Sequence, residues 1–219
     1  MKKFTLLLLF VSAFIYQRSA AQAVSVKAGA LLSDWRGEGI NTLNSLVGLT
    51  GDYITRSPYI GYYAGATINI PVATQLSFEP GFIYSQTGTS LKGKFGIKGI
   101  DILNAEANMI QQSIEMPLMI KAELGSGFEV MAGPQASYLL NSKLQVKASA
   151  LGFNLINKSY DLDANFEPFN VSAVAGFQYR LSNGLGIQAM YEHGLTSMVK
   201  DRSAKVYAQS GRVGLSYRF

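Results

Sequence analysis

The sequence predicts an all-β fold: an eight-stranded antiparallel up-and-down β-barrel that spans a membrane. Eight segments alternate apolar and polar side chains, at about 24–33, 59–70, 75–86, 110–124, 127–140, 169–181, 185–195 and 207–219. A period of two puts alternate residues on opposite faces of a strand. The connections alternate too: Pro71–Thr74, Gly125-Ser126 and Ser182–Gly184 are tight turns, while 34–58, 87–109, 141–168 and 196–206 are long. An even strand count, short turns at one end and long loops at the other are the marks of a transmembrane barrel. The segments, ten to fifteen residues long, suit tilted strands, which need ~9–11 residues to cross.

Taken in order, the chain opens with a targeting segment. Lys2 and Lys3 precede an apolar run, Phe4 to Tyr16, and then the small-residue stretch Ser19-Ala-Ala-Gln-Ala23. The run is short of the ~20 residues of a membrane-spanning helix, so residues 1–21 read as a signal peptide. Cleavage is expected after Ala21, or else after Ala23, and residues 22–219 form the barrel domain. The third strand presents Leu76, Phe78, Phe82 and Tyr84 on its outward face. The fourth presents Ile114, Met116, Leu118, Ile120 and Leu124; the sixth, Val171, Ala173, Ala175, Phe177 and Tyr179. Pro80, Pro117 and Pro134 each remove a ladder donor from consecutive strands, which predicts local bulges. The last strand carries Gly211, Val213, Leu215, Tyr217 and Phe219 outward, against Ser210, Arg212, Gly214, Ser216 and Arg218 inward.

None of the eight outward faces carries Asp, Glu, Lys or Arg. The ten charged residues within the spans are Lys27, Glu79, Glu115, Lys121, Glu123, Glu129, Arg180, Glu192, Arg212 and Arg218, all in the opposite phase. The fourth and eighth strands, with several charges each, are the informative ones. Five carboxylates against five cations in a lumen only wide enough for side chains predict an ion-paired plug and no open channel, because unpaired charges there would be costly. The same phase sorts the aromatics. Tyr62, Tyr84, Tyr138, Tyr191 and Tyr207 fall outward near the long-loop end, and Phe128, Tyr179, Tyr217 and Phe219 near the short-turn end. Two such girdles suit two bilayer interfaces, whereas a soluble ligand-binding barrel would turn its apolar face inward.

Composition excludes other classes. There is no cysteine, hence no disulfide, thiolate metal site, cysteine nucleophile or lipidated cysteine. The net charge of +5 is partly the signal peptide, since the mature chain keeps sixteen basic against fourteen acidic residues. Nucleic-acid binding therefore has little support. With one histidine and no carboxylate cluster at ligand spacing, no metal is expected, and no cofactor motif is present. Lys92, Lys94, Lys98, Lys200, Arg202 and Lys205 make two long loops basic, but Asp101, Glu106 and Asp201 are interleaved. A solvated surface or contact with anionic headgroups follows. Alternation in Lys143 to Ala150 extends a hairpin above the membrane.

The closing strand, with its terminal Phe219, resembles those of bacterial outer-membrane barrels. That resemblance makes Phe219 and Tyr217 part of a signal read by the barrel assembly machinery. Ile114-Glu-Met-Pro-Leu-Met-Ile-Lys121, Met131-Ala-Gly-Pro-Gln-Ala-Ser-Tyr-Leu-Leu140, Val174–Tyr179 and Tyr191–Thr196 resemble the PorT-like outer-membrane barrel family of Bacteroidetes. The resemblance implies a cell outer membrane location, with outer-membrane lipid and lipopolysaccharide and other outer-membrane or secretion proteins as partners. It implies a structural or interaction role through long external loops, linked in some PorT-like proteins to type IX secretion or gliding. The alternative is a lipid A-modifying acyl hydrolase or acyltransferase, for which Glu192, His193 and Ser197 near the outer rim are the candidates. No motif fixes their geometry, and a histidine among headgroups is the preferred account of His193. A small passive pore is the third choice.

Overall fold

In a computed structural model, residues 23–49, 54–97, 100–150, 153–201 and 205–219 are described. The strands are β1 (Ala23–Arg36), β2 (Ile54–Ala73), β3 (Leu76–Ile97), β4 (Ile100–Gly125), β5 (Phe128–Ala150), β6 (Phe153–Asp161), β7 (Phe169–Arg180), β8 (Leu185–Gly194) and β9 (Tyr207–Arg218). One helix, α1 (Glu38–Gly48), follows β1, and a single 3-10 turn spans Asp163–Asn165. Neighbouring strands run antiparallel from β1 through β5 and from β7 through β9. β5 pairs with β7, and β1 pairs with β9, so eight strands close a ring. Closure leaves the ring no open edge. β6 lies outside it, paired with β5 over Lys143–Ala150.

The predicted phase sets the two faces. In β1, Val24, Val26 and Leu32 are exposed, while Ser25, Lys27, Leu31, Ser33 and Trp35 are buried. Phe82, Leu118, Phe177, Val213 and Phe219 are likewise exposed. A polar interior with an apolar exterior is the reverse of a soluble core, and water would not stabilise it. Tyr62 and Tyr84 meet on the outside at 6.1 Å, Phe128 and Phe177 at 6.1 Å, and Tyr217 and Phe219 edge-on at 5.0 Å.

Three expectations are corrected. The segments 34–58, 87–109 and 141–168 are not chiefly loops. They hold the end of β1, α1, the start of β2, the outer parts of β3, β4 and β5, and β6. The apolar alternation stops where the outward side chains leave lipid, but backbone pairing does not depend on lipid. In register, Tyr84, Ile114, Tyr138 and Phe169 form an apolar outward row. Farther out, Lys92, Glu106 and Lys147 form a charged one. Second, Pro80, Pro117 and Pro134 produce no bulge. Pro80 opposite Leu118 and Ile83 opposite Glu115 share one register; Pro117 opposite Gln135 and Ile120 opposite Ala132 share another; Pro134 lies in an unbroken run with β7. Each proline forfeits a donor, and its neighbours hold the ladder in step. The shifts occur elsewhere, as between Pro58 and Tyr62 on β2 and beside Gln112-Ser113 on β4. Third, Glu123 is exposed at the short-turn end, opposite Glu129, and does not enter the lumen.

Lys143–Ala150 does extend a hairpin, with β6 as its other arm. The signal segment, Lys98 and Arg202 lie outside the described residues. At the turns, Gly125, Ser126 and Gly127 all have positive φ, as does Gly184. That backbone favours glycine over residues with a Cβ.

Candidate functional site: ion-paired lumen and outer cavity

Inside the ring, the side chains form layers. Nearest the short turns, Glu79 pairs with both Lys27 and Lys121, and Lys121 lies 3.4 Å from Glu129. Arg180 grips Glu129 through Nε and Nη2, both at 2.9 Å. Arg218 is half-buried beside this end. The strands bring these groups together across the lumen: Lys27 comes from β1, Glu79 from β3, Lys121 from β4, Glu129 from β5 and Arg180 from β7.

The next layer is largely apolar: Tyr63 with Leu31 and Ile83, and Met119 with Met131 and Val174, Met190 packing against both groups. Tyr63 takes a hydrogen bond from Gln188 at 2.9 Å. Its hydroxyl lies against Gly29 and Gly214, which face each other in the β1–β9 register. A Cβ at Gly29 would approach the Tyr63 hydroxyl to 2.8 Å, and one at Gly214 closer still. The glycine pair is thus the notch that admits the tyrosine.

A second ionic layer follows. Arg212 donates to Glu115 through Nη1 at 2.6 Å and Nη2 at 2.9 Å, and also pairs with Glu192. Ser85 donates to Glu115 at 2.5 Å. Gln135, Ser172 and Ser210 donate to Glu192 at 3.3, 2.9 and 2.8 Å. Arg212 is 2 % exposed, Glu115 3 % and Glu192 6 %. Both carboxylates have their oxygens occupied by donors, which buried charge requires.

Beyond this layer the wall turns apolar again. Trp35, Ile40, Phe166, Met198 and Val206 form a buried cluster, with Trp35 edge-on to Phe166 at 5.6 Å. Gly37, at φ 121°, turns the chain from β1 into α1 and brings Ile40 over the barrel mouth. Arg56 secures the corner by pairing with Asp34 and donating to the Trp35 carbonyl at 2.9 Å. Next to this cluster, between it and the projecting parts of β3, β4 and β5, lies a cavity of about 540 Å³. Trp35, Leu91, Met109, Leu144, Phe166 and Val206 line it.

Glu192, His193 and Ser197 are not brought together. Glu192 points into the lumen and His193 is on the opposite, exposed face of β8. His193 Nε2 lies 2.8 Å from Arg36, whose guanidinium sits 4.8 Å above the Tyr207 ring. Ser197 donates to the Val199 carbonyl and accepts from the Val206 amide, both at 3.3 Å. Lys92, Lys200 and Lys205 are exposed, and Lys200 donates to the Ala164 carbonyl at 2.8 Å. Sequence reasoning missed the apolar outer cluster. Its one signal was Trp35, which continues the inward phase of Leu31 and Ser33 beyond the predicted end of the first strand.

The family model described as outer membrane protein beta-barrel domain matches residues 17–200. The chain belongs to that family. It resides in the outer membrane, and by the rule of that architecture the short turns face the periplasm and the projecting strands face outward. None of the curated proteins matches it in sequence. Among solved structures it is similar to the attachment invasion locus protein Ail of Yersinia pestis, at 13% identity and TM-score 0.45 over 90% of this chain and 99% of that one. Neisserial surface protein A is similar at 13% identity and TM-score 0.41, over 90% and 97%. OprG of Pseudomonas aeruginosa is similar at 11% identity and TM-score 0.37, over 91% and 96%.

Proposed function

We propose that this outer-membrane protein is a closed anchor, and that its working part is the rigid β-structure it holds outside the bilayer. One observation carries the reading: β3 runs eleven residues beyond Gln86 and stays paired with β4, with one register shift between Phe95 and Gly96. Over its first part Ser90 and Lys92 take the outward phase, while Thr89 and Leu91 line a cavity on the inner side. At ~3.3 Å per residue that is roughly 35 Å of strand beyond the membrane. A sheet wet outside and dry inside is a folded head, and ordered surfaces on rigid scaffolds are where binding resides. The two ionic layers argue against conduction, because an ion would have to displace buried, hydrogen-bonded pairs. Arg36, stacked on Tyr207 at the lipid-facing rim, suits the anionic headgroups of lipopolysaccharide.

The finer role, in type IX secretion or gliding, rests on the PorT-like resemblance of residues 114–121 and 131–140. The test replaces residues 91–107 with Asn-Gly in the chromosomal copy, leaving Ser90 opposite Asn108 to close the hairpin. The shortened barrel is expected to insert normally yet reproduce the phenotype of the full deletion in secretion or motility. Full activity of the shortened protein would refute a role for the head. A change in lipid A mass in the deletion strain, reproduced by Ser197→Ala alone, would establish the enzymatic alternative. In planar bilayers the intact protein should show no sustained conductance; reproducible single-channel steps would overturn the closed-anchor reading.

A further inference from the structure

We infer that the outer cavity is a binding site for an uncharged, apolar small molecule taken from outside the cell. Its volume of about 540 Å³ falls within the ~300–1,000 Å³ range of small-molecule sites. Leu91, Met109 and Leu144 from three adjoining strands make one wall, and Trp35, Phe166 and Val206 make the other. The polar lining groups Asn165, Lys200 and Asp201 are exposed to solvent, and two polar groups of the lining are engaged by the protein itself. The Thr89 hydroxyl donates to Asp34 at 3.1 Å, and the Lys200 ammonium to the Ala164 carbonyl at 2.8 Å. Between the two apolar walls a charged ligand would give up its hydration without a partner in exchange, whereas an apolar one gains burial.

The layers beneath fix what the site does. Inward of the cavity lie the Trp35–Met198 cluster and then Arg212 with its two glutamates. A molecule that enters stops there, so the site retains its ligand and does not pass it across the membrane. The inference deepens the reading of the outer strands as a binding head, and depends on it only for placing the cavity outside the bilayer.

Trp35 is the only tryptophan of the chain and lines the cavity, so its fluorescence reports occupancy directly. Full-length protein in lipid nanodiscs is titrated with 1-bromooctane, whose bromine quenches tryptophan on contact, and with 8-bromooctanoate. Saturable quenching by the bromoalkane is expected, with affinity at least tenfold lower for the carboxylate. Ala107→Phe and Leu91→Phe each fill the cavity from a different strand, and should weaken quenching at least tenfold while the protein stays resistant to unheated SDS. Plain octane should relieve the quenching of the unmodified protein, which tests the site without any variant. Quenching that is absent, or rises linearly as simple partition would, overturns the inference. So does equal quenching by the carboxylate, failure of octane to compete, or no change in folded cavity-filled variants. Any of these would leave the closed anchor standing, since bilayer conductance tests that separately.

Discussion

Replacing Arg212 with methionine should destabilise the barrel more than any surface change, because it leaves Glu115 and Glu192 buried without their shared cation. Methionine preserves much of the length of the side chain, so the perturbation is mainly electrostatic. Breaking a buried pair by removing one partner costs ~3–5 kcal/mol. Ser85, Ser172, Ser210 and Gln135 continue to donate to the two carboxylates, which places the cost at the lower end. About 3 kcal/mol corresponds to a roughly 150-fold shift in the folding equilibrium. The assay is urea unfolding of the protein in lipid vesicles followed by Trp35 emission, with gel mobility before and after heating as a second probe. Adding Glu115→Gln and Glu192→Gln to Arg212→Met removes the stranded charge, and this triple variant should recover to within about 1 kcal/mol of the parent, as neutral replacements of buried ion pairs do. A single variant within ~0.5 kcal/mol of the parent, the range of ordinary surface changes, would refute the reasoning. So would a triple variant no better than the single one.

Gly214→Ala drives a methyl against the Tyr63 hydroxyl and the Ala28 carbonyl, and should cost ~1–3 kcal/mol by overpacking. Combining it with Tyr63→Phe should restore part of that loss in the same urea titration, and no restoration would mean the notch does not work as described. The Phe219 amide donates to the Val24 carbonyl at 3.0 Å, so the last residue helps seal β9 to β1. Deleting Phe219 should lower the folded outer-membrane yield more than removing one residue from β6, which lies outside the ring; an equal loss would count against it. The folded protein should migrate differently before and after boiling in SDS, and recovery of mature protein from soluble periplasm would contradict the inverted, apolar-out surface.

Two periodicities in the sequence were enough to determine that the chain is a barrel and which way its side chains face. A strand crossing lipid must turn every second side chain to hydrocarbon, so charge is confined to one phase and the pattern survives without knowledge of partners. Lys121 and Arg212 could therefore be assigned to the lumen one strand at a time. Which carboxylate each would meet could not, because pairing across the lumen depends on strand stagger. Only the closed ring put Lys121 between Glu79 and Glu129, and Arg212 between Glu115 and Glu192. Glu123 shows the limit of phase alone: it has the inward parity, but the strand ends there and the side chain reaches water. The outer head was hidden for a related reason. Past Gln86 and Gln112 the outward residues face water, so the apolar half of the alternation moves to the inner face. The backbone goes on pairing, and Trp35, Met109 and Phe166 converge only once the sheet has curved round to bring β1, β4 and the 3-10 turn together.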